Sequence, residues 1–193
     1  MILSDGEIKY AILNKHIVID PEPGQSQYTS SALDLSLGDE ILELKTVEEL
    51  QRDEPPGVQR PFVVNLCTVN VPSLLQRYGK PLRREDDGSY ILKPRHFVLG
   101  MTREYINLPK KWKIAARVEG RSTLARMGLA VHLTAPTIHA DFSGHIALEM
   151  FNFGNHELRL IPGQLAICQL VFERVGKIPK KISTRYQGQR SLR

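Results

Sequence analysis

Apolar and polar residues alternate with a period near two through most of the chain, and helical spacing is confined to short stretches. Ala32-Leu33-Asp34-Leu35-Ser36-Leu37-Gly38 shows the alternation, which is the pattern of a half-buried strand. Ile41-Leu42-Glu43-Leu44 continues it past a turn at Gly38-Asp39. Similar runs predict strands at 62–66, 90–92, 97–102, 114–118, 129–134, 145–152, 158–161 and 165–173. Pro94, Gly144, Gly154-Asn155 and Pro162-Gly163 punctuate them as turns. Two helices are predicted. Ser4-Asp5-Gly6-Glu7 reads as a capping box ahead of Ile8, Ile12 and Leu13, so a helix covers about 5–14. Ser122-Thr123-Leu124-Ala125-Arg126-Met127-Gly128 has a serine cap, good helix formers and a terminal glycine, so a short helix ends at Gly128.

The stretch 47–60 is polar and holds Pro55-Pro56-Gly57, which predicts a surface loop with one helical turn. Residues 79–89 are strongly charged and read as an excursion from the core. Many short strands with few helices indicate an all-β sandwich or barrel. The length of 193 residues fits one domain spanning 1–193, with no internal repeat.

Composition narrows the class. Hydrophobic residues at 41% and charged residues at 24% are those of a globular chain able to bury its own core. No run approaches the roughly 18 apolar residues of a membrane span. The first seven residues lack the basic and apolar regions of a signal peptide. Cys67 and Cys168 form no CxxC, which fits a reducing cytoplasm. The net charge of +5 is unevenly placed. Residues 177–193 carry Lys177, Lys180, Lys181, Arg185, Arg190 and Arg193 and no acid, so the tail holds +6 and the remainder about −1. A basic tail fits either an anionic partner or a solvated end.

Three segments carry candidate chemistry. Gly120-Arg121-Ser122-Thr123-Leu124-Ala125-Arg126 places two hydroxyls at a helix start between two arginines, a pattern that suits phosphate but also an ordinary capped surface helix. In Ile146-Ala147-Leu148-Glu149-Met150-Phe151-Asn152, alternation puts Ile146, Leu148 and Met150 on one face. His145, Ala147, Glu149 and Phe151 take the other. A carboxylate there is either exposed on a wet face or partly desolvated and able to exchange protons near neutrality. Arg185-Tyr186-Gln187-Gly188-Gln189-Arg190 combines an aromatic ring, amides, a glycine and two arginines, as a segment closing over a phosphorylated ligand would. The six histidines form no HxxxH with a nearby acid. The zinc-deaminase pattern, the Walker loop and the dinucleotide glycine fingerprint are absent.

Together these segments resemble the dCTP deaminase branch of the dUTPase-like superfamily. The matching pieces are Ser30 to Gly38, Glu119 to Gly128, Gly144 to Asn152, Pro162-Gly163 with Gln169-Leu170, and Tyr186-Gln187-Gly188-Gln189, in family order across nearly the whole chain. The resemblance implies a mainly β, distorted jelly-roll-like barrel with a few short helices. It implies a homotrimer with active sites between subunits, acting on dCTP to give dUTP and ammonia. It implies magnesium accompanying the triphosphate, no zinc, and neither nucleic acid nor membrane as partner. Glu149 would be the general base. Ser122 and Arg126 would position the water, the base edge or the phosphates. Arg121 and Thr123 would sit on the triphosphate. The backbone at Ala147 and Leu148 would read the pyrimidine. Gln169 and the tail residues Arg185, Tyr186 and Gln189 would cover the nucleotide, with 177–193 as a basic lid.

Two departures from the family pattern stand out. His139 takes the place of an acidic residue in the sugar-binding turn, with Asp141 two positions on. The tail stops four residues after Gln189, where many relatives continue, so either lid closure is weaker or the phosphate grip leans on Arg190 and Arg193. The dUTPase branch uses an Asp in that turn to orient hydrolytic water. A dUTP diphosphatase or bifunctional enzyme, and a catalytically silent nucleotide-binding protein, are therefore the alternatives.

Overall fold

The computed structural model describes residues 1–53, 64–180 and 188–192. Helix α1 spans Asp5–Leu13, and its capping box forms: Ser4 accepts from the Glu7 N–H, and the Glu7 carboxylate accepts from the Ser4 N–H at 3.0 Å. The helix buries Ile8, Ala11 and Ile12. Strand β1 (Val18–Asp20) follows, then β2 (Leu33–Leu44).

Strand β2 corrects the expected turn at Gly38-Asp39. The strand runs straight through, and its register against the later strand β5 (Phe97–Asn107) shifts between Leu37 and Ile41. Gly38 is there because the backbone of Met101 and Thr102 comes close: an added Cβ would lie 3.0 Å from the Met101 carbonyl oxygen. A bulge and a close approach leave the same glycine signature as a turn.

Between β2 and β5 lie α2 (Val47–Asp53), α3 (Val71–Tyr78), β3 (Gly79–Pro81) and β4 (Tyr90–Leu92). The strand expected at 62–66 is not found at 64–66, and Phe62 and Val63 lie outside the described residues. Helix α3 was not anticipated, although Asn70 caps it through the Ser73 N–H and Pro72 sits in its first turn. The charged segment 79–89 is tied to the sheet, because β3 pairs with the end of β2.

The second half of the chain supplies β6 (Ile114–Gly120), α4 (Ser122–Arg126), β7 (Leu129–Ala130), β8 (Thr137–Ile138), β9 (Ser143–Asn152), β10 (Leu158–Leu160) and β11 (Ala166–Arg174). One antiparallel sheet runs β7-β9-β5-β2-β11-β6-β8, with β1 attached to β5 and β3 to β2; β4 and β10 form a separate pair. The expected mainly β architecture is what forms, with the large sheet curled on itself. Its inner face carries Leu33, Leu35, Leu37, Ile106, Leu148, Met150 and Phe172, all fully buried. Among the described residues no helix is long and apolar enough to cross a membrane.

Candidate active site

Strand β9 places the site. Its burial alternates residue by residue as expected, with Ile146, Leu148 and Met150 in the core and His145, Ala147 and Glu149 half-exposed on the other face. The two strand edges differ as well. The Ile146 N–H donates to the Thr102 hydroxyl on β5, whereas the His145 N–H points the other way, to the Gln189 carbonyl. Backbone groups alternate between edges along a strand, so the Ala147 N–H and carbonyl face the edge away from β5. Strand β7 covers that edge only at Phe151 and Asn152. Among the described residues, Ala147 therefore presents a donor and an acceptor without a partner beside the Glu149 side chain. Leu148 does not: its side chain is fully buried and its backbone faces β5.

A pocket of about 390 Å³ forms over this face. Ala147, Glu149 and His145 make its floor, the turn with Ala135 and His139 one wall, and Val71 and Leu75 of α3 another. Leu99, Ile138 and Ile146 add apolar surface. Among the described residues Glu149 is the sole carboxylate lining it, and none engages that carboxylate in a hydrogen bond or ion pair. A half-buried, unpaired carboxylate against apolar walls, with a free backbone donor and acceptor two residues away, can bind a flat heterocycle and move protons on it. His139 is exposed at the rim. Asp141 does not line this pocket; its carboxylate lies 3.9 Å from Lys110 Nζ.

The tail reaches the same place. The Gly188 N–H donates to the Ser143 carbonyl at 2.6 Å, and Gln189 forms a parallel bridge to Gly144 and lines the pocket. Leu192, at 4% exposure, packs with Leu42 and Met101. This seats the last described residue of the chain against the sheet. Arg185 and Tyr186, expected to cover the nucleotide, lie outside the described residues, as does Arg193.

The arginine-rich segment sits elsewhere. Ser122 is the first helical residue of α4 and not its cap: Arg121 holds the cap position with no side-chain cap bond. The hydroxyls of Ser122 and Thr123 and the guanidinium of Arg126 are exposed, with no bond to any described side chain. Arg121 instead turns towards Asp34 on β2, with 3.2 Å between Nη1 and Oδ2. Gln169 on β11 donates to the other Asp34 oxygen at 3.0 Å. Asp34, only 7% exposed, thus joins two expected substrate-binding residues, a role the sequence did not single out. Asp34 and Arg121, but not Gln169, line a second pocket of about 530 Å³ with Glu104, whose buried carboxylate accepts from the Ser36 N–H at 2.8 Å and from the Gln27 amide. Burial, reinforced by the Glu104 and Asp34 carboxylates, pushes the thiol of neighbouring Cys168 far up, so it stays a neutral core group.

A backbone hydrogen bond and a buried asparagine hold the end of α4 against the end of β9. Gly128, at φ +89°, follows the helix, and its carbonyl accepts from the Phe153 N–H at 2.7 Å. Fully buried Asn152 donates to the Leu92 and His156 carbonyls and accepts from the Gly154 N–H, which fixes the turn that Gly128 abuts.

A curled antiparallel sheet that holds a carboxylate in one pocket and an arginine-bearing helix beside another fits a protein that handles a charged small molecule. The comparisons identify which kind. A family model described as dCTP deaminase-like matches residues 2–175, and the chain belongs to that family. It is 36% identical over 172 residues to a protein of Methanosphaera stadtmanae named dCTP deaminase, dUMP-forming, covering 89% of this chain and 78% of that one. It is 35% identical over 191 residues to a protein of Persephonella marina with the same name, covering 98% and 93%. A Rhodospirillum rubrum protein named dCTP deaminase is 35% identical over 175 residues, covering 90% and 82%. The crystal structure of the 2'-deoxycytidine 5'-triphosphate deaminase of Agrobacterium tumefaciens shares the fold at a TM-score of 0.62 and 18% identity. That match covers 91% of this chain and 48% of the other.

Proposed function

We propose that the protein deaminates dCTP hydrolytically, giving dUTP and ammonia, with Glu149 moving the protons. The observation that carries this reading is the unpaired Glu149 carboxylate beside the free Ala147 backbone edge in the apolar pocket. In this mechanism Glu149 takes a proton from water as its oxygen adds to C4 of cytosine, and passes that proton to N3. It then takes the proton of the new C4 hydroxyl and delivers it to the amino group. The C4–N bond breaks, ammonia leaves and the C4 carbonyl of uracil remains. One group serves both half-steps, and general acid–base groups contribute about 10²–10⁴-fold each.

Glu149 and the Arg121–Arg126 segment line no common pocket within one chain among the described residues. This favours a homotrimer in which one subunit supplies the carboxylate and base pocket and a neighbour supplies Ser122, Thr123 and Arg126. Magnesium belongs, in this reading, to the triphosphate, since it prefers phosphate and water oxygens. Chelation should then slow turnover without lowering the melting temperature. A cytoplasmic setting fits a free nucleotide substrate.

A second reading, in which the product is dUMP, is favoured by the names of the Methanosphaera and Persephonella relatives. The pocket counts against it, because His139 stands where the dUTPase branch has its water-orienting Asp and Asp141 does not line it. Incubation with dCTP and with dUTP, measuring ammonia and pyrophosphate separately, decides: ammonia without pyrophosphate is expected. Glu149→Gln should abolish ammonia release while dCTP still binds. Near-normal ammonia release from that variant would remove Glu149 from the mechanism.

A further inference from the structure

A third cavity, of about 510 Å³, lies between the two already described. Asp20, Pro21, Arg103, Tyr105, His145 and Arg190 line it. It shares His145 with the Glu149 pocket and Pro21 and Arg103 with the Asp34–Arg121 pocket. Its size is within the about 300–1,000 Å³ usual for small-molecule sites. Two guanidiniums and an imidazole face one carboxylate, that of Asp20.

These cations are held in place, yet their charge is not neutralised. The register of β5 against β9 shifts between Met101 and Tyr105, and Arg103 sits in that bulge with its side chain exposed. The Thr102 hydroxyl donates to the Glu104 carbonyl at 2.9 Å and accepts from the Ile146 N–H at 3.0 Å, which fixes the bulge on both sides of Arg103. Arg103 makes no ion pair among the described residues. His145 Nδ1 lies 3.1 Å from the Thr102 carbonyl. A carbonyl only accepts, so Nδ1 carries a proton there, and Nε2 donates to a phosphate oxygen when the ring carries its second proton. Arg190 comes from the far end of the chain and is brought back by the Gly188–Ser143 and His145–Gln189 backbone bonds and by buried Leu192. Its guanidinium stands 5.9 Å from the Tyr105 ring centroid, and Tyr105 is itself braced by a hydrogen bond to the Ser143 hydroxyl and edge-on to His145.

We propose that Arg103, Arg190 and His145 form a binding subsite for a chain of phosphoryl groups. Arginine forks match phosphate oxygens two at a time, and the backbone that carries both arginines is already fixed. The cavity shares His145 with the Glu149 pocket, so a phosphate chain can extend into it from there. That the chain is the nucleotide's own rests on the proposed deaminase reading; the anion subsite does not.

The test is calorimetric titration of the full chain with sodium tripolyphosphate, and then with dCTP, for the unaltered protein, Arg103→Ala, Arg190→Ala and the double variant. Both arginines are exposed, so the fold should persist, and Arg103→Lys should restore binding only in part. Saturable tripolyphosphate binding is expected, weakened about 10- to 100-fold by each single change, the effect of losing a charge-assisted bond. Lys93→Ala, which removes one exposed charge elsewhere, should leave it unchanged. Competition between tripolyphosphate and dCTP, with a raised KM and retained kcat in Arg103→Ala, would support the subsite and assign it to the nucleotide. Undiminished tripolyphosphate binding in saturating dCTP would support it as a site for a separate polyphosphate anion. Equal affinity in the double variant, or an equal loss in Lys93→Ala, would overturn the proposal. A failure of the unaltered protein to release ammonia from dCTP would overturn the deaminase reading alone.

Discussion

Replacing Asp34 by Asn tests whether Arg121 and Gln169 act from a prepared position. The substitution removes a charge but keeps the shape and an oxygen able to accept from the Gln169 amide, now 3.0 Å away. What is lost is the attraction to Arg121 at 3.2 Å. At an effective dielectric of about 20 that separation gives a gross Coulomb energy of about 5 kcal/mol. The net effect is smaller. The Arg121 side chain is 35% exposed and stays hydrated when freed, and the Asp34 side chain, at 9%, costs energy to desolvate when charged. A stability loss of about 1–2 kcal/mol follows, or about 2–8 °C in melting temperature for a chain of this size. The larger effect should fall on catalysis. A guanidinium that swings freely must be ordered by each arriving triphosphate, so KM for dCTP should rise about ten-fold, equivalent to about 1.4 kcal/mol, with kcat less affected. Steady-state kinetics beside a thermal melt separate the two effects. A fall in KM would refute the reasoning. It would mean that Asp34 repels the triphosphate or competes with it for Arg121.

Three further outcomes follow from the geometry. Gly128→Ala puts a side chain at φ +89° and drives its Cβ into the backbone of Gly154; a loss of about 2–4 kcal/mol is expected, and a melting temperature within 1 °C of the parent would show that α4 is not locked to β9 there. Leu192→Ala should unseat the tail locally, so the amides of Gly188 and His145 should exchange faster with deuterium while the melting temperature moves by less than about 2 °C; unchanged protection would mean that Leu192 does not hold the tail. The Ser4 N–H and hydroxyl hold the Glu7 carboxyl below its ordinary value, so its contribution is complete above that value and is lost as pH falls through the lowered one. Glu7→Gln should therefore flatten the acid limb of a stability profile, and identical acid limbs would discount the capping box.

Local patterns determined a good part of this protein. The α1 capping box, the alternation along β9 and the glycine stop after α4 all depend on residues within a few positions of one another, and they form as the sequence implies. The same locality made Glu149 legible as a half-buried carboxylate. The Gly-Arg-Ser-Thr-Leu-Ala-Arg and Leu-Glu-Met-Phe-Asn segments carried the family resemblance.

Other features depend on partners far along the chain. The glycine at 38 reads as a turn until the backbone of Met101 is seen against it. Helix α3 has a cap and a proline, but only its place over the β9 face makes Val71 and Leu75 part of the pocket. Asp34 is one polar residue in an alternating strand until Arg121 and Gln169, 87 and 135 positions later, close on it. Leu192 is one of few apolar residues in a basic tail, and its burial depends on a cleft formed by Leu42 and Met101. A strand's alternation is written in its own residues, whereas a pocket is formed by whichever side chains the sheet register and the curl of the sheet bring together. That is why the sequence could name Glu149, and only the tertiary structure could show Asp34 holding Arg121, and Arg103 and Arg190 lining one cavity.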